Sequence, residues 1–113
     1  PYNPHDYGVG MQPGGAADGE DLWQRLIPSV PAASLVVCGH DLGGSVAHTA
    51  SVRADGRTVH ELFANFQEYP EGGSGYLALV ELRGRRVRVR FYSPYLDHLL
   101  DDAEHDVRFE LAP

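Results

Sequence analysis

His40 follows a short apolar run, Leu35-Val36-Val37-Cys38-Gly39, and precedes Asp41 and the pair Gly43-Gly44. An imidazole, a carboxylate and flexible backbone at the end of a core strand are a common way to mount reactive groups on a rigid platform. Imidazole ligates divalent metals and moves protons near neutral pH, so His40 is the pivot of any chemistry in this sequence. His5, flanked by Asp6 and Tyr7, is a second imidazole that could enter a site from a loop. The plainer reading of that stretch is a loose terminus. His48, His60, His98 and His105 show no mutual spacing that implies a site and read as ordinary surface or strand histidines.

Six His and sixteen carboxylates permit a metal site, but no His-x-x-x-His helix pair and no zinc-finger spacing is present. There is no Gly-x-Ser-x-Gly elbow, no Walker A sequence and no dinucleotide fingerprint, which argues against serine-hydrolase, P-loop and Rossmann chemistry. Cys38 is the single cysteine and is expected to be packed and inert within its apolar run. No internal disulfide can form, which fits a reducing compartment and slightly favours the cytoplasm. The net charge of −7 disfavours nucleic acid and anionic membranes as partners. All nine basic residues are Arg, and five lie between Arg83 and Arg90. They are expected to form a solvated strand face paired with Glu81 and neighbouring acids. No run approaches the ~20 apolar residues of a membrane span.

The elements that must position these groups follow from pattern. Residues 1–19 hold three Pro and five Gly without periodicity and read as loop. Residues 20–27 place Leu22, Trp23, Leu26 and Ile27 on one helical face, with Trp23 as a packing anchor, and Pro28 and Pro31 end the helix. Leu35–Cys38 is expected to be a strand buried on both faces. Val46–Arg53 and Thr58–Phe66 flank Ala54-Asp55-Gly56-Arg57, a strong hairpin signal. Tyr76–Leu82 and Val87–Tyr92 pair across residues 83–86, with Val87, Val89 and Phe91 alternating against Arg88, Arg90 and Tyr92. Residues 96–103 are expected to form a helical turn, and Val107–Leu111 a last strand. The expected fold class is α+β with a mostly antiparallel sheet, in one domain over residues 20–113.

Several stretches together resemble the C-terminal part of a calcineurin-like metallophosphoesterase. They are Asp21-Leu-Trp23, Leu35-Val-Val-Cys-Gly-His40, Val59-His-Glu-Leu-Phe-Ala-Asn-Phe-Gln67, Gly72-Gly-Ser-Gly-Tyr-Leu77 and Phe91-Tyr-Ser-Pro94, in the family's order. The resemblance implies a four-layer α/β/β/α sandwich and a phosphoester substrate. It also implies two divalent metal ions, Mn, Fe or Zn, that polarise phosphoryl oxygens and activate water. His40 matches the first His of the family's Gly-His-x-His motif, and His5 the upstream metal His. Leu42 stands where the second motif His belongs. The family's Asp-x-His, Gly-Asp-x-x-Asp and Gly-Asn-His motifs are absent here and are expected upstream, in a missing N-terminal half of the same domain. The expected function is phosphoester hydrolysis by the longer protein, with this segment inactive alone. The alternative is a non-catalytic binding or scaffold domain, and a nucleic-acid-binding module using Arg83–Arg90 is third.

Overall fold

The computed structural model describes residues 19–40 and 44–113. Contacts divide the chain into two compact units, the first ending at Ala33 and the second beginning at Ser34. In the first, Gly19–Asp21 is an α turn, Leu22–Leu26 winds as a π-helix and Ile27–Ser29 as a 3₁₀ turn. The helical register expected over residues 20–27 is therefore present but unevenly wound. Pro28 lacks an N–H and stops the i→i−4 ladder, and the Ser29 hydroxyl donates to the Leu26 carbonyl at 2.7 Å.

The second unit is built from two sheets. In the first sheet β3 (Thr58–Ala64) is central, parallel to β1 (Leu35–Cys38) and antiparallel to β2 (Val46–Val52). The β2–β3 turn falls where Asp-Gly predicts it. Gly56 takes φ 81°, and Asp55 Oδ1 accepts the Arg57 N–H at 3.0 Å. In the second sheet β5 (Arg86–Ser93) is central. It pairs with β4 (Leu77–Arg83) on one side, and on the other with β6 (His98–Leu100) and β7 (Val107–Glu110) end to end. Alternation along β5 points Val87, Val89 and Phe91 inward, where they meet Leu62 of β3 and Phe66 of the segment just after it in one core. Burying these side chains is the main favourable contribution to the fold. The chain is α+β, as its patterning predicts. The described residues form two sheets and short helical turns, not the four layers of a complete sandwich.

Two expectations are corrected. β1 is an edge strand, not a strand buried on both faces: Val37 is 64% exposed and Cys38 is exposed with it. A short apolar run serves an inner strand and an edge strand equally well, so periodicity cannot separate them. Residues 98–100 form β6 instead of a helical turn. The Leu96 N–H donates to Ser93 Oγ at 3.0 Å and the Tyr92 hydroxyl to Asp97 Oδ1 at 2.6 Å, while Asp97 adopts φ 48°. That tight turn folds the chain back onto β5, and tertiary pairing overrides local propensity.

β4 carries an apolar edge. Leu77, Leu79, Val80 and Leu82 are all exposed, and β4 pairs on one side only among the described residues. Phe91, by contrast, is fully buried in the second half of β5. Phe91→Ala is expected to lower the unfolding free energy by about 3–5 kcal/mol, measured by urea denaturation. A loss below about 1 kcal/mol would show that the two sheets do not share this core.

Candidate functional site at the ends of the parallel strands

Because β1 and β3 run parallel, their carboxyl ends lie side by side, the place where open sheets present ligand-binding groups. Gly39-His40 leaves β1 there, and Asn65-Phe66-Gln67 leaves β3. Glycine is required at 39: a Cβ would sit 2.6 Å from the Ala64 carbonyl oxygen. His40 follows at φ 65°, a left-handed conformation that costs a non-glycine residue about 1–3 kcal/mol and gathers at functional sites. Its ring is met by Gln67, whose Oε1 accepts from Nδ1–H at 3.0 Å. The Nε2 nitrogen is then the one that carries the lone pair.

The rest of the site is braced from below. Asn65 Oδ1 accepts the Gln67 backbone N–H at 3.3 Å, and the Asn65 N–H pairs with the Ser45 carbonyl at 2.8 Å. Phe66, between them, is anchored in the core against Tyr69, Tyr76 and Phe91. The glycine-rich loop after β3 makes a left-handed turn in which Glu71, Gly72, Gly73, Ser74 and Gly75 all have positive φ. Two bonds hold it: Ser74 Oγ donates to the Pro70 carbonyl at 3.0 Å, and the fully buried Ser93 hydroxyl donates to the Ser74 carbonyl at 2.5 Å. A cavity of about 330 Å³ opens between this loop and Asn65 and Gln67. Four of the five stretches quoted for the resemblance meet here: β1 with His40, β3 with Gln67, the Gly72–Leu77 loop and the Phe91–Pro94 segment.

His40 offers one exposed imidazole, held by a single hydrogen bond to Gln67, which suits at most one coordination position. Among the described residues no group of three or more His, Cys, Asp or Glu could hold a metal ion, and catalytic zinc sites take three protein ligands. His5, Asp41 and Leu42 lie outside the described residues. The described side chains therefore fit one position of a metal centre and do not complete it.

Two histidine clusters escaped the sequence reading. His48, His60 and Phe109 stack with ring centroids 4.4–5.3 Å apart. His60 Nε2–H donates to the Glu110 carbonyl at 3.0 Å, so His60 Nδ1 accepts from His48 Nε2–H at 3.1 Å. The hairpin register holds the signal: His48 faces Leu62 and His60 faces Ala50, which sets the two imidazoles diagonally on one face. The second cluster joins Ser45, His105 and Asp102. Asp102 accepts from His105 Nδ1–H at 2.7 Å, and His105 Nε2 accepts the Ser45 hydroxyl at 3.0 Å. Hydroxyl, imidazole and carboxylate stand in the order of a nucleophile relay, but His105 is buried against Phe66 and Phe91. The array tethers the start of β2 to the β6–β7 loop.

The arginines behave as expected of a solvated face. Arg90 and Arg83 pair with Glu81, Arg88 and Arg108 with Asp106, and Arg85 with Glu110. Hydrogen bonds from Arg88 and Arg108 hold the Asp106 carboxyl far below its usual range, and Arg90 lowers Glu81. Cys38, expected to be packed, is exposed at the sheet edge.

Burial, and then the charge of His60, push the His48 imidazole below its ordinary value near 6.5. A folded-state value below the unfolded one means that the unfolded chain binds more protons in between. His48's contribution to stability is thus fully present above about pH 6.5 and is lost as pH falls below it. The urea midpoint is expected to drop between pH 7.5 and 5.5, and His48→Phe to flatten that slope. An unchanged slope would remove His48 as its source.

No protein-family model matches the chain, and no solved structure matches it. Among curated proteins it is similar to Uncharacterized protein YvnB of Bacillus subtilis (strain 168), with 33% identity over 85 residues. The match covers 69% of this chain and 6% of the length of that protein.

Proposed function

We propose that this chain is the C-terminal portion of a calcineurin-like metallophosphoesterase domain, and that the longer protein hydrolyses a phosphoester. The observation that carries the reading is the convergence of separate motifs on one point. Gly39 passes against Ala64, His40 bonds to Gln67, and Ser93 holds the loop around Ser74. Motifs that matched only in order along the chain are neighbours in space. The exposed apolar strands β1 and β4 also suit a segment whose faces are covered by the rest of a larger fold, as does the small share of the similar Bacillus protein that this chain spans.

In this reading His40 and His5 hold divalent metal, and the remaining ligands come from the upstream half of the domain. Metal in such a centre lowers the pKa of bound water and polarises the phosphoryl group. This chain's residues orient and support: Gln67 holds the His40 ring, Gly39 lets the two strand ends approach, and the Ser74–Ser93 bond fixes the loop over the cavity. A binding module that keeps the fold without the chemistry is the second reading, favoured by Leu42 where the motif's second His would stand.

Two measurements separate them. In the longer protein, His40→Ala is expected to reduce hydrolysis of p-nitrophenyl phosphate or its diester by at least about 100-fold without unfolding it. A protein that carries the upstream motifs yet hydrolyses neither ester with Mn²⁺, Fe²⁺ or Zn²⁺ would decide for the binding module. The 113-residue chain alone is expected to bind divalent metal weakly, with His40→Ala abolishing the binding. Tight binding that survives the substitution would take His40 out of the site.

A further inference from the structure

We propose that His48, His60 and Phe109 form an acid-operated latch on β7. The latch holds while the imidazole pair carries at most one added proton and releases the strand when both rings are charged. His48 comes from β2, His60 from β3 and Phe109 from β7, so the three rings span the two sheets. The imidazoles lie nearly parallel, 9° apart, and Phe109 rests against both at 4.4–4.6 Å. His60, only 7% exposed, is the hub: its Nε2–H is committed to the Glu110 carbonyl and its Nδ1 to His48 Nε2–H. β7 is a four-residue strand that ladders with β5 alone among the described residues, so the rings and that carbonyl bond tie it to the first sheet.

The nitrogens set the stoichiometry. A backbone carbonyl only accepts, so His60 Nε2 keeps its hydrogen and a first added proton goes to His48 Nδ1, which breaks no bond. A second must go to His60 Nδ1. There it meets the His48 N–H, and a hydrogen bond becomes two facing donors on two like charges. Among the described residues no carboxylate bonds to either ring to offset that second charge. β2 carries no other titratable group, and Glu61 of β3 turns to the opposite face, where it accepts from Ser51 at 3.0 Å. On β7 and β5 the charged residues Arg108, Glu110, Arg86 and Arg88 share the outer face, away from Phe109 and Val87. Arg85 pairs with Glu110 at 3.0 Å, and Arg53, Asp55 and Arg57 lie at the β2–β3 turn. Burial and then the charge of His60 hold His48 below its ordinary value, so the latch is intact above that value and weakens as pH falls. A cavity of about 610 Å³, lined in part by Thr58, His60 and Arg85, brings solvent to this end of the sheets.

The test is residue-resolved amide hydrogen exchange on the 113-residue chain, beside ¹⁵N NMR of the His48 and His60 rings. Both run from pH 7.5 to about 4.5, across the ordinary imidazole range and below it. Once both rings are charged, protection of the β7 amides, corrected for intrinsic rate, is expected to fall at least about tenfold, the change one pKa unit supports. The β3 amides and the β4–β5 ladder are expected to keep theirs. His48→Gln keeps a donor for His60 Nδ1, binds no proton itself, and can turn its amide oxygen inward when His60 is charged, so β7 is expected to stay protected. Loss of protection in β3 and β4–β5 together with β7 would mean global unfolding and overturn the latch. So would a β7 that stays protected with both rings charged, rings that never both charge in this range, or His48→Gln opening like the wild type.

Discussion

The close passage of the β1 terminus over the β3 terminus is the constraint on which the rest of the site depends. With a Cβ at residue 39 the two strand ends would have to separate, because the Ala64 carbonyl occupies that space. Their approach brings the chain after Cys38 alongside the chain after Ala64, so that a histidine and a glutamine 27 positions apart share one hydrogen bond. The parallel register from Leu35↔His60 to Cys38↔Phe63 sets where along β3 this happens. A slip of one residue would turn every β1 side chain to the other face, and Gly39 would no longer meet Ala64.

Below that point the structure is stabilised by a small core and several buried polar ties. Leu62 of one sheet, Phe66 just beyond it, and Val87, Val89 and Phe91 of the other sheet supply the apolar contact. The polar ties settle which loop lies where. Ser93 fixes the glycine-rich loop, His105 joins Ser45 to Asp102, and His60 reaches the β7 carbonyl at Glu110. A buried polar group without a partner costs about 1–3 kcal/mol, so each tie favours one arrangement over its neighbours. Arg90 Nε is a buried exception with no partner among the described residues, although its guanidinium is ion-paired through Nη2 to Glu81.

Much of this was legible in the sequence because the signals were local. Asp55-Gly56 placed the first hairpin, Gly84 lies in the turn of the second, and the alternation of Val87, Val89 and Phe91 named the core face of β5. His40 was singled out from the end of its apolar run, and it does stand at the end of an ordered strand. What the sequence hid was pairing between distant segments. Residues 98–100 became a strand only because Ser93 and Asp97 turn the chain onto β5. β1 lies at an edge because no second strand among the described residues reaches it, a property of topology and not of the residues Leu35–Cys38. His48 and His60 could have been joined by following the hairpin register, whereas nothing local linked Ser45 to His105, 60 positions away.

The outer edge of β4 has a colloidal consequence. Leu77, Leu79, Val80 and Leu82 offer a second copy apolar surface on a strand that pairs on one side only among the described residues. Mutual repulsion between copies, each carrying seven excess negative charges, opposes that encounter, and the repulsion reaches only about 10 Å at 0.1 M salt. Added salt shortens the range at which copies repel and leaves the exposed strand unchanged, so close encounters between copies become more frequent as ionic strength rises.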